Sequence, residues 1–192
     1  MTARHRSPHC RPVVRPGLFG TVLTVSLALW AAYLLADGSG RTGVATSTSG
    51  CSCHGSSPNA AGAVTVAISG PQAVVAGSTN SYTISATGGP AGTTGGFDLN
   101  TNGGTLVAGT GSRVSGSDLT HSNNSRRSWT FTWTAPATAG SFRFAAVGLS
   151  SNGSGSGGDS WNWYGGSTGA PFTITVGAAA DAIRPAPVTD LR

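Results

Sequence analysis

The stretch that decides the fold is Ser128-Trp129-Thr130-Phe131-Thr132-Trp133-Thr134. Aromatic residues and threonines alternate along it, so a β-strand places the aromatic side chains on one face and the hydroxyls on the other. Aromatic side chains bury a large apolar area, and threonine is favoured on the exposed face of a sheet. The pattern therefore predicts a central strand whose aromatic face lies in the core.

The same two-residue period recurs on both sides of this stretch, separated by Gly-Gly, Gly-Pro, Asn-Gly and Asn-Asn turn signals. The further predicted strands are Val64–Ile68, Tyr82–Ala86, Gly96–Asn100, Thr105–Ala108, Ser141–Leu149 and Phe172–Val176. Charged residues make up only 9% of the chain, which disfavours amphipathic surface helices. The sequence thus predicts an all-β fold, an antiparallel β-sandwich of immunoglobulin type, over residues 62–177.

The N-terminal part of the chain has the pattern of a membrane anchor. Residues 1–16 are basic, and the segment from Leu18 to Ala36 carries no charge. As a helix it is about 28 Å long, which matches the hydrocarbon thickness of a bilayer. We predict a transmembrane helix over 17–36 with a cytoplasmic N-terminus, which makes the protein a bacterial inner-membrane protein with a periplasmic main domain. A cleaved signal peptide is the alternative.

Composition also assigns the remaining segments and excludes one class of partner. Residues 37–61 are rich in Gly, Ser and Thr and are interpreted as a linker, and residues 178–192 as an extended C-terminal tail. From Asp37 onward seven arginines are matched by six aspartates. This nearly neutral composition offers no phosphate-binding face, so no nucleic-acid partner is expected.

The chemistry of the chain is concentrated in Cys51-Ser52-Cys53-His54. Four interpretations are open: covalent haem attachment with His54 as the iron ligand, a copper or zinc site, a Cys51–Cys53 disulfide, or free thiols. The spacing is C-x-C-H, one residue shorter than the usual haem motif C-x-x-C-H. His121 is the other histidine after the anchor and would complete either a haem or a metal ligand set.

Two further features bear on function. Trp161, Trp163 and Tyr164 form an aromatic cluster in a Gly/Ser-rich loop, which is either a partner-contact surface or a short strand packed on the sandwich. No Ser/His/Asp set is ordered as in a known hydrolase, and the separated aspartates are typical of turns. We therefore expect a protein without enzymatic activity.

The order of several short motifs resembles the bacterial choice-of-anchor V domain, a Reeler-like β-sandwich of surface proteins. The resemblance covers about residues 50–177 and rests on the following stretches: Cys53-His54-Gly55, Gly95-Gly96-Phe97-Asp98-Leu99, Gly103-Gly104-Thr105-Leu106, Leu119-Thr120-His121-Ser122, Trp129 to Pro136, and Gly158-Asp159-Ser160-Trp161-Asn162. Many members are similar to c-type cytochromes at this position. The resemblance implies that Cys51, Cys53 and His54 occupy haem-attachment positions, with His121 as the second ligand.

These features together predict the function. One anchor, one neutral extracytoplasmic domain and no recognisable active site are typical of an accessory or structural subunit of a membrane assembly, here an electron-transfer, respiratory or photosynthetic one. The expected partners are the membrane and other subunits of that assembly. A mono-haem electron carrier holding one haem c, and a copper or zinc protein, are the alternatives.

Overall fold

The alternating segments pair into two facing sheets in the computed structural model, which describes residues 38–179. The strands of the described residues are β1 Val64–Ser69, β2 Ala73–Val75, β3 Thr79–Gly88, β4 Gly95–Thr101, β5 Thr105–Val107, β6 Ser112–Ser115, β7 Asp118–His121, β8 Ser128–Thr134, β9 Gly140–Ser150, β10 Ser160–Trp163 and β11 Phe172–Gly177. Two short 3-10 helices, Ser52–His54 and Gly166–Thr168, accompany them. The predicted all-β sandwich is confirmed.

The first sheet has four strands in the order β1-β3-β8-β5, and the second has seven, in the order β2-β11-β9-β4-β7-β6 with β10 paired to β9. All pairs of named strands are antiparallel except β2 with β11, which is parallel. The predicted central strand is β8, which pairs with β3 on one side and with β5 on the other.

The aromatic face of β8 lies in the core, as its alternation predicts. Trp129 and Phe131 are each 1% exposed and Trp133 is fully buried. Tyr82 of β3 stacks on Phe131 at 5.7 Å between ring centroids, and Phe144 of β9 meets Trp133 edge-on at 5.5 Å. Since such ring pairs add about 0.5–1.5 kcal/mol beyond the area they bury, the aromatic face joins the two sheets.

The two tryptophans of β8 differ in how their indole N–H groups are satisfied. Trp133 donates from Nε1 to the carbonyl of Gly103 at 2.9 Å, whereas Nε1 of Trp129 is buried without a hydrogen-bond partner among the described residues. Trp133→Phe removes an indole N–H that makes a hydrogen bond, whereas Trp129→Phe removes a buried N–H that makes none. We expect Trp133→Phe to lower the free energy of unfolding by about 1–2 kcal/mol more than Trp129→Phe, measured by denaturant unfolding. Equal losses would contradict the assignment.

The predicted membrane helix at 17–36 lies outside the described residues, as do the basic N-terminus and residues 180–192 of the tail. Within residues 38–179, no helix combines the length and the apolar character that crossing a membrane requires.

Residues 38–62, here called the covering segment, lie against the outer face of the seven-stranded sheet. On β9, Phe144 and Ala146 point into the main core, whereas Val147 and Leu149 form a second apolar cluster with Trp161 of β10 and Ala45 of the covering segment. The sheet is therefore covered on both of its faces at this point.

Candidate functional site

Two carboxylates of the seven-stranded sheet hold the start of the covering segment through its backbone. The amides of Val44 and Ala45 both donate to Oδ2 of Asp98 at 2.9 Å, and the amide of Gly43 donates to Oδ2 of Asp118 at 3.0 Å. Hydrogen bonds to a charged acceptor are roughly twice as strong as neutral ones. Asp98 thus acts as the main attachment point of this backbone.

Side chains of β6 and β7 bind the same stretch from the other direction. Arg113 donates to the carbonyls of Ser39 at 3.0 Å and Gly40 at 2.7 Å. The hydroxyl of Thr120 donates to the carbonyl of Phe97 at 2.6 Å and also lies 3.2 Å from the carbonyl oxygen of Arg41. The Gly/Ser/Thr composition predicts a flexible tether here, but residues 39–45 are fixed on the sheet. The prediction failed because the backbone amides and carbonyls of this stretch make the contacts, and every residue type has these groups.

Trp161 is the apolar centre beneath the Cys51–His54 turn. It is 1% exposed and donates from Nε1 to the carbonyl of Gly55 at 2.9 Å, while its own carbonyl accepts from the amide of Asn59 at 2.8 Å. Gly50, with φ of +50°, passes so close that a Cβ there would lie 2.3 Å from the indole ring. The backbone of the turn is therefore packed directly against the side chain of Trp161.

His54 is held by a buried carboxylate at the end of this turn. Its Nδ1 lies 2.7 Å from Oδ2 of Asp159, and the two side chains are 15% and 0% exposed. Oδ1 of Asp159 accepts the amide of Asn152 at 2.8 Å, which fixes the carboxylate. A carboxylate on one ring nitrogen of a histidine fixes the orientation of the ring and its tautomer, as in metal-bound histidines.

The two cysteines of the motif have different surroundings. Cys51 is partly buried against the second apolar cluster, and this burial raises the pKa of its thiol to about 12, with the charges of Asp98 and Cys53 acting in the same direction. Cys53 is half-buried, and its Sγ lies 4.0 Å from Nη1 of Arg41. Both are free cysteines, so the Cys51–Cys53 disulfide that the sequence allows is not formed in this structure.

His121 lies in the core and not beside the cysteine motif. Its ring contacts those of Phe97 and Trp129 at centroid distances of 6.4 and 6.3 Å, and its Nδ1 lies 3.1 Å from the donating amide of Phe97. Within residues 38–179, no three His, Cys, Asp or Glu side chains form a group able to hold a metal ion. The structure therefore does not assemble the ligand set of Cys51, Cys53, His54 and His121.

The three predicted contact residues, two on β10 and one directly after it, are mostly packed against the sandwich. Trp161 is buried, and Trp163 meets it edge-on at 4.7 Å. Tyr164 is partly buried against the main core and meets Phe172 edge-on at 5.9 Å. Because Trp161 is 1% exposed, the structure shows for it the alternative of a short strand packed on the sandwich. A partner contact through the partly exposed Trp163 and Tyr164 stays a prediction.

Sequence reasoning missed two residues of this region, Asp98 and Asp159, which it assigned to turns. Both are almost fully buried, at 0% and 1% exposure. An aspartate between the apolar neighbours of a predicted strand, as in Phe97-Asp98-Leu99, was the available signal for Asp98, since such a residue faces the opposite side from the core. Nothing in the sequence connects Asp159 to His54.

The carboxyl group of Asp98 is buried in an environment that disfavours its charged form. Burial raises the pKa of its carboxyl to about 6, against the opposing effect of the amides of Ala45, Val44 and Gly43. Its Oδ1 is buried without a hydrogen-bond partner among the described residues. The covering segment is therefore attached through a buried charge that is itself unfavourable.

This burial gives the protein a specific pH dependence. A carboxyl whose folded pKa is above its usual 3.8 contributes stability that is fully present below about pH 3.8 and is lost as the pH rises through about 6. We expect the free energy of unfolding to fall by on the order of 2–3 kcal/mol across this window on account of Asp98. Urea unfolding from pH 4 to 7 of the wild type and of Asp98→Asn measures it.

The difference in unfolding free energy between the wild type and Asp98→Asn isolates the contribution of Asp98, because the two proteins share all other titrating groups. The slope of stability against pH should be less negative in Asp98→Asn by the amount that Asp98 contributes. Parallel curves would show that the carboxyl has an ordinary pKa in the folded protein.

Comparison with known proteins finds matches among solved structures but not among family models or curated proteins. No family model matches the chain, and no curated protein matches it. Among solved structures, a conjugative transposon lipoprotein from Bacteroides eggerthii is similar at 19% identity, with a TM-score of 0.33, over 53% of this chain and 95% of its own. The CARDB domain of a Pyrococcus furiosus protein, in complex with di-metal ions, is similar at 16% identity, with a TM-score of 0.31, over 61% and 94%.

Proposed function

We propose that this protein is a non-catalytic accessory or structural subunit of a membrane assembly, of the electron-transfer, respiratory or photosynthetic kind. In this proposal the segment at 17–36 is a retained anchor in the inner membrane, the N-terminus is cytoplasmic and the sandwich lies on the periplasmic side. The resemblance to the choice-of-anchor V domain agrees with a surface role.

The observation that carries the proposal is the attachment of the covering segment to the sheet. Its backbone is bound from residue 39 onward by Asp98, Asp118 and Arg113. Backbone attachment that begins at residue 39 leaves only residues 37 and 38 between the proposed anchor at 17–36 and the first bound residue. A domain that must reach distant partners would gain from a free linker, whereas a subunit of a fixed assembly gains from this short connection.

The carboxylates of the described region have structural partners, which supports a non-catalytic role. Asp98 and Asp118 bind backbone amides of the covering segment, and Asp159 binds Asn152 and His54. A general acid or base requires a carboxyl or imidazole that can reach a substrate. The side chain of His54 is partly exposed, and the way Asp159 orients its ring suits a histidine that binds iron or another metal ion.

Membrane extraction of the full-length chain tests the proposal. We expect the tagged protein to remain in the membrane fraction after a high-salt wash and to migrate, in mild detergent, as part of a complex larger than itself. Isolation as a lone monomer, or as a soluble polypeptide beginning near residue 37, would overturn the proposal.

A second candidate function is a mono-haem electron carrier, favoured by the His54–Asp159 pair. The pair leaves Nε2 of His54 as the ring nitrogen available to iron, and the 3-10 turn places Cys53 next to it in the chain. Haem would supply one-electron chemistry there. The residues fit such a group in part: His54 is oriented as a ligand, whereas Cys51 packs against the apolar cluster and His121 is buried in the core.

Mass and absorption of the purified protein decide between the two candidates. A haem protein shows a covalent mass increment of one haem and a Soret band that is lost in His54→Ala. A colourless protein of unmodified mass would eliminate the haem hypothesis, and elemental analysis for copper and zinc would test the metal hypothesis in the same sample.

A further inference from the structure

The outer face of the four-stranded sheet is an array of hydroxyl groups. Its outward positions on β1, β3, β8 and β5 carry threonine or serine except at Ala67 and Val107. The hydroxyl residues are Thr65, Ser69, Thr79, Ser81, Thr83, Ser85, Thr87, Thr105, Ser128, Thr130, Thr132 and Thr134. Neighbouring strands place them about 4.8 Å apart, and alternate residues about 6.6 Å apart.

The strand register aligns these hydroxyls in cross-strand pairs. Thr79 lies opposite Thr134 with their Oγ1 atoms 2.8 Å apart, and Thr83 lies opposite Thr130 at 3.2 Å. Each hydroxyl has one donor and two acceptor positions, so a pair that shares one hydrogen bond keeps further positions for a ligand. The face therefore offers hydrogen bonds in regular rows.

Two adjoining clefts lie at one end of this face. The larger, of about 640 Å³, is lined by Ser85, Thr87 and Ser128 together with the loop that follows β3, and the smaller, of about 380 Å³, by Thr130, Thr132 and the chain after β5. Arg126 and Ser128 line both clefts. Both clefts are shallow and open widely to solvent, which suits an extended ligand lying along the surface rather than an enclosed small molecule.

The charge of the clefts is positive. Arg126 and Arg127 line the larger one, and neither lining contains an acidic residue. Arg127 binds backbone carbonyls, whereas Arg126 uses Nη1 for the carbonyl of Thr110 at 3.2 Å. A guanidinium has five N–H donors and matches a carboxylate in a bidentate manner, so Arg126 has donors to spare for an anionic ligand.

We propose that this face binds an acidic polysaccharide, with the carboxylate of a uronic-acid unit on Arg126 and the sugar hydroxyls on the threonine and serine rows of β3 and β8. The charge of the clefts selects an anion, and the rows of hydroxyls select a ligand that is itself rich in hydroxyls along an extended chain. This site lies on the sheet opposite to the covering segment and does not depend on the function proposed above.

Binding of the full-length protein in detergent to immobilised polygalacturonate tests the proposal. Dextran supplies sugar hydroxyls without charge, and poly-glutamate supplies carboxylates without sugar. The variants are Arg126→Gln, which removes the charge, and Thr130→Val, which removes a hydroxyl at nearly constant shape. Arg143→Gln is the matched control, because Arg143 is an exposed arginine on β9 of the other sheet.

The expected result is binding to polygalacturonate that is weakened about tenfold or more by Arg126→Gln and several-fold by Thr130→Val, and unchanged by Arg143→Gln. The basic residues at 1–16 attract any polyanion, so the specific signal is the difference between variants. Equal binding of wild type and Arg126→Gln, equal affinity for poly-glutamate, or no binding to polygalacturonate would each overturn the proposal. Thermal unfolding of each variant verifies that it is folded.

Discussion

Replacing Arg127 with methionine is expected to lower the free energy of unfolding by about 3 kcal/mol, because one partly buried guanidinium holds the ends of three strands. The guanidinium of Arg127 donates to four backbone carbonyls: Thr94 at 2.7 Å, Gly88 at 3.1 Å, Pro90 at 2.9 Å and Ser151 at 2.8 Å. Methionine keeps the apolar stem and removes every one of these bonds. The ends of β3, β4 and β9 then lose their common partner.

Burial lowers the pKa of Arg127 from its ordinary value, and the charge of Asp159 opposes this shift, but the group stays protonated at neutral pH. Arg127→Lys should be intermediate, because one ammonium cannot reach all four carbonyls. Arg143→Met, at an exposed position of β9, is the control and should change stability by less than about 0.5 kcal/mol. Urea unfolding at pH 7 measures all three, and similar values for Arg127→Met and Arg143→Met would contradict the structural role.

Gly50→Ala is expected to detach the Cys51–His54 turn from the sheet and to lower the free energy of unfolding by about 3 kcal/mol or more. A Cβ at this position would lie 2.3 Å from Trp161, a rigid ring that is 1% exposed and cannot yield. The backbone conformation, with φ of +50°, adds about 1–2 kcal/mol for any residue with a side chain. Detachment also separates His54 from Asp159.

Gly43→Ala separates the two causes. Gly43 has φ of +79° and also lies in the covering segment, but no atom lies within 4 Å of its Cβ position. Gly43→Ala should lower the free energy of unfolding only by the cost of the backbone conformation, about 1 kcal/mol. Unfolding measurements on both variants, with the His54 ring resonances as a local probe, give the comparison. If the two variants lose the same stability, the turn is not packed on Trp161.

The fold was predictable where alternation and burial agree. In β8, β1, β11 and the Tyr82–Ala86 part of β3 every second residue is apolar, and each of these strands was predicted from that period alone. β6 and β7 were not predicted, because Ser112–Ser115 and Asp118–His121 contain too few apolar residues to show a period. Their place beside β4 is decided by the tertiary fold.

The covering segment shows why composition misled. Glycine, serine and threonine are typical of linkers, yet here small residues are needed because the backbone itself lies against the sheet. Gly40, with φ of +89°, would place a Cβ 2.1 Å from the carbonyl oxygen of His121. Glycine at such a position is a packing requirement, and it cannot be distinguished from flexibility by counting residue types.

Only one of the two segments that form the candidate site was predictable from the sequence. Cys51, Cys53 and His54 attracted notice through their spacing, whereas the partner of His54 lies 105 residues further along the chain, and Trp161 beneath the turn is similarly distant. Contacts at such separation arise from the pairing of β9 with β10, which no local pattern specifies. His121 was chosen as a ligand by elimination, and the register of β7 points it into the core.

The attachment of the covering segment to the seven-stranded sheet is the observation on which the proposed function rests. Hydrogen–deuterium exchange of the full-length protein at pH 7 measures it most directly. We predict that the amides of Val44 and Ala45 exchange nearly as slowly as those of β4, because both are bonded to a buried carboxylate. Exchange as fast as in an unstructured peptide of the same sequence would contradict the account.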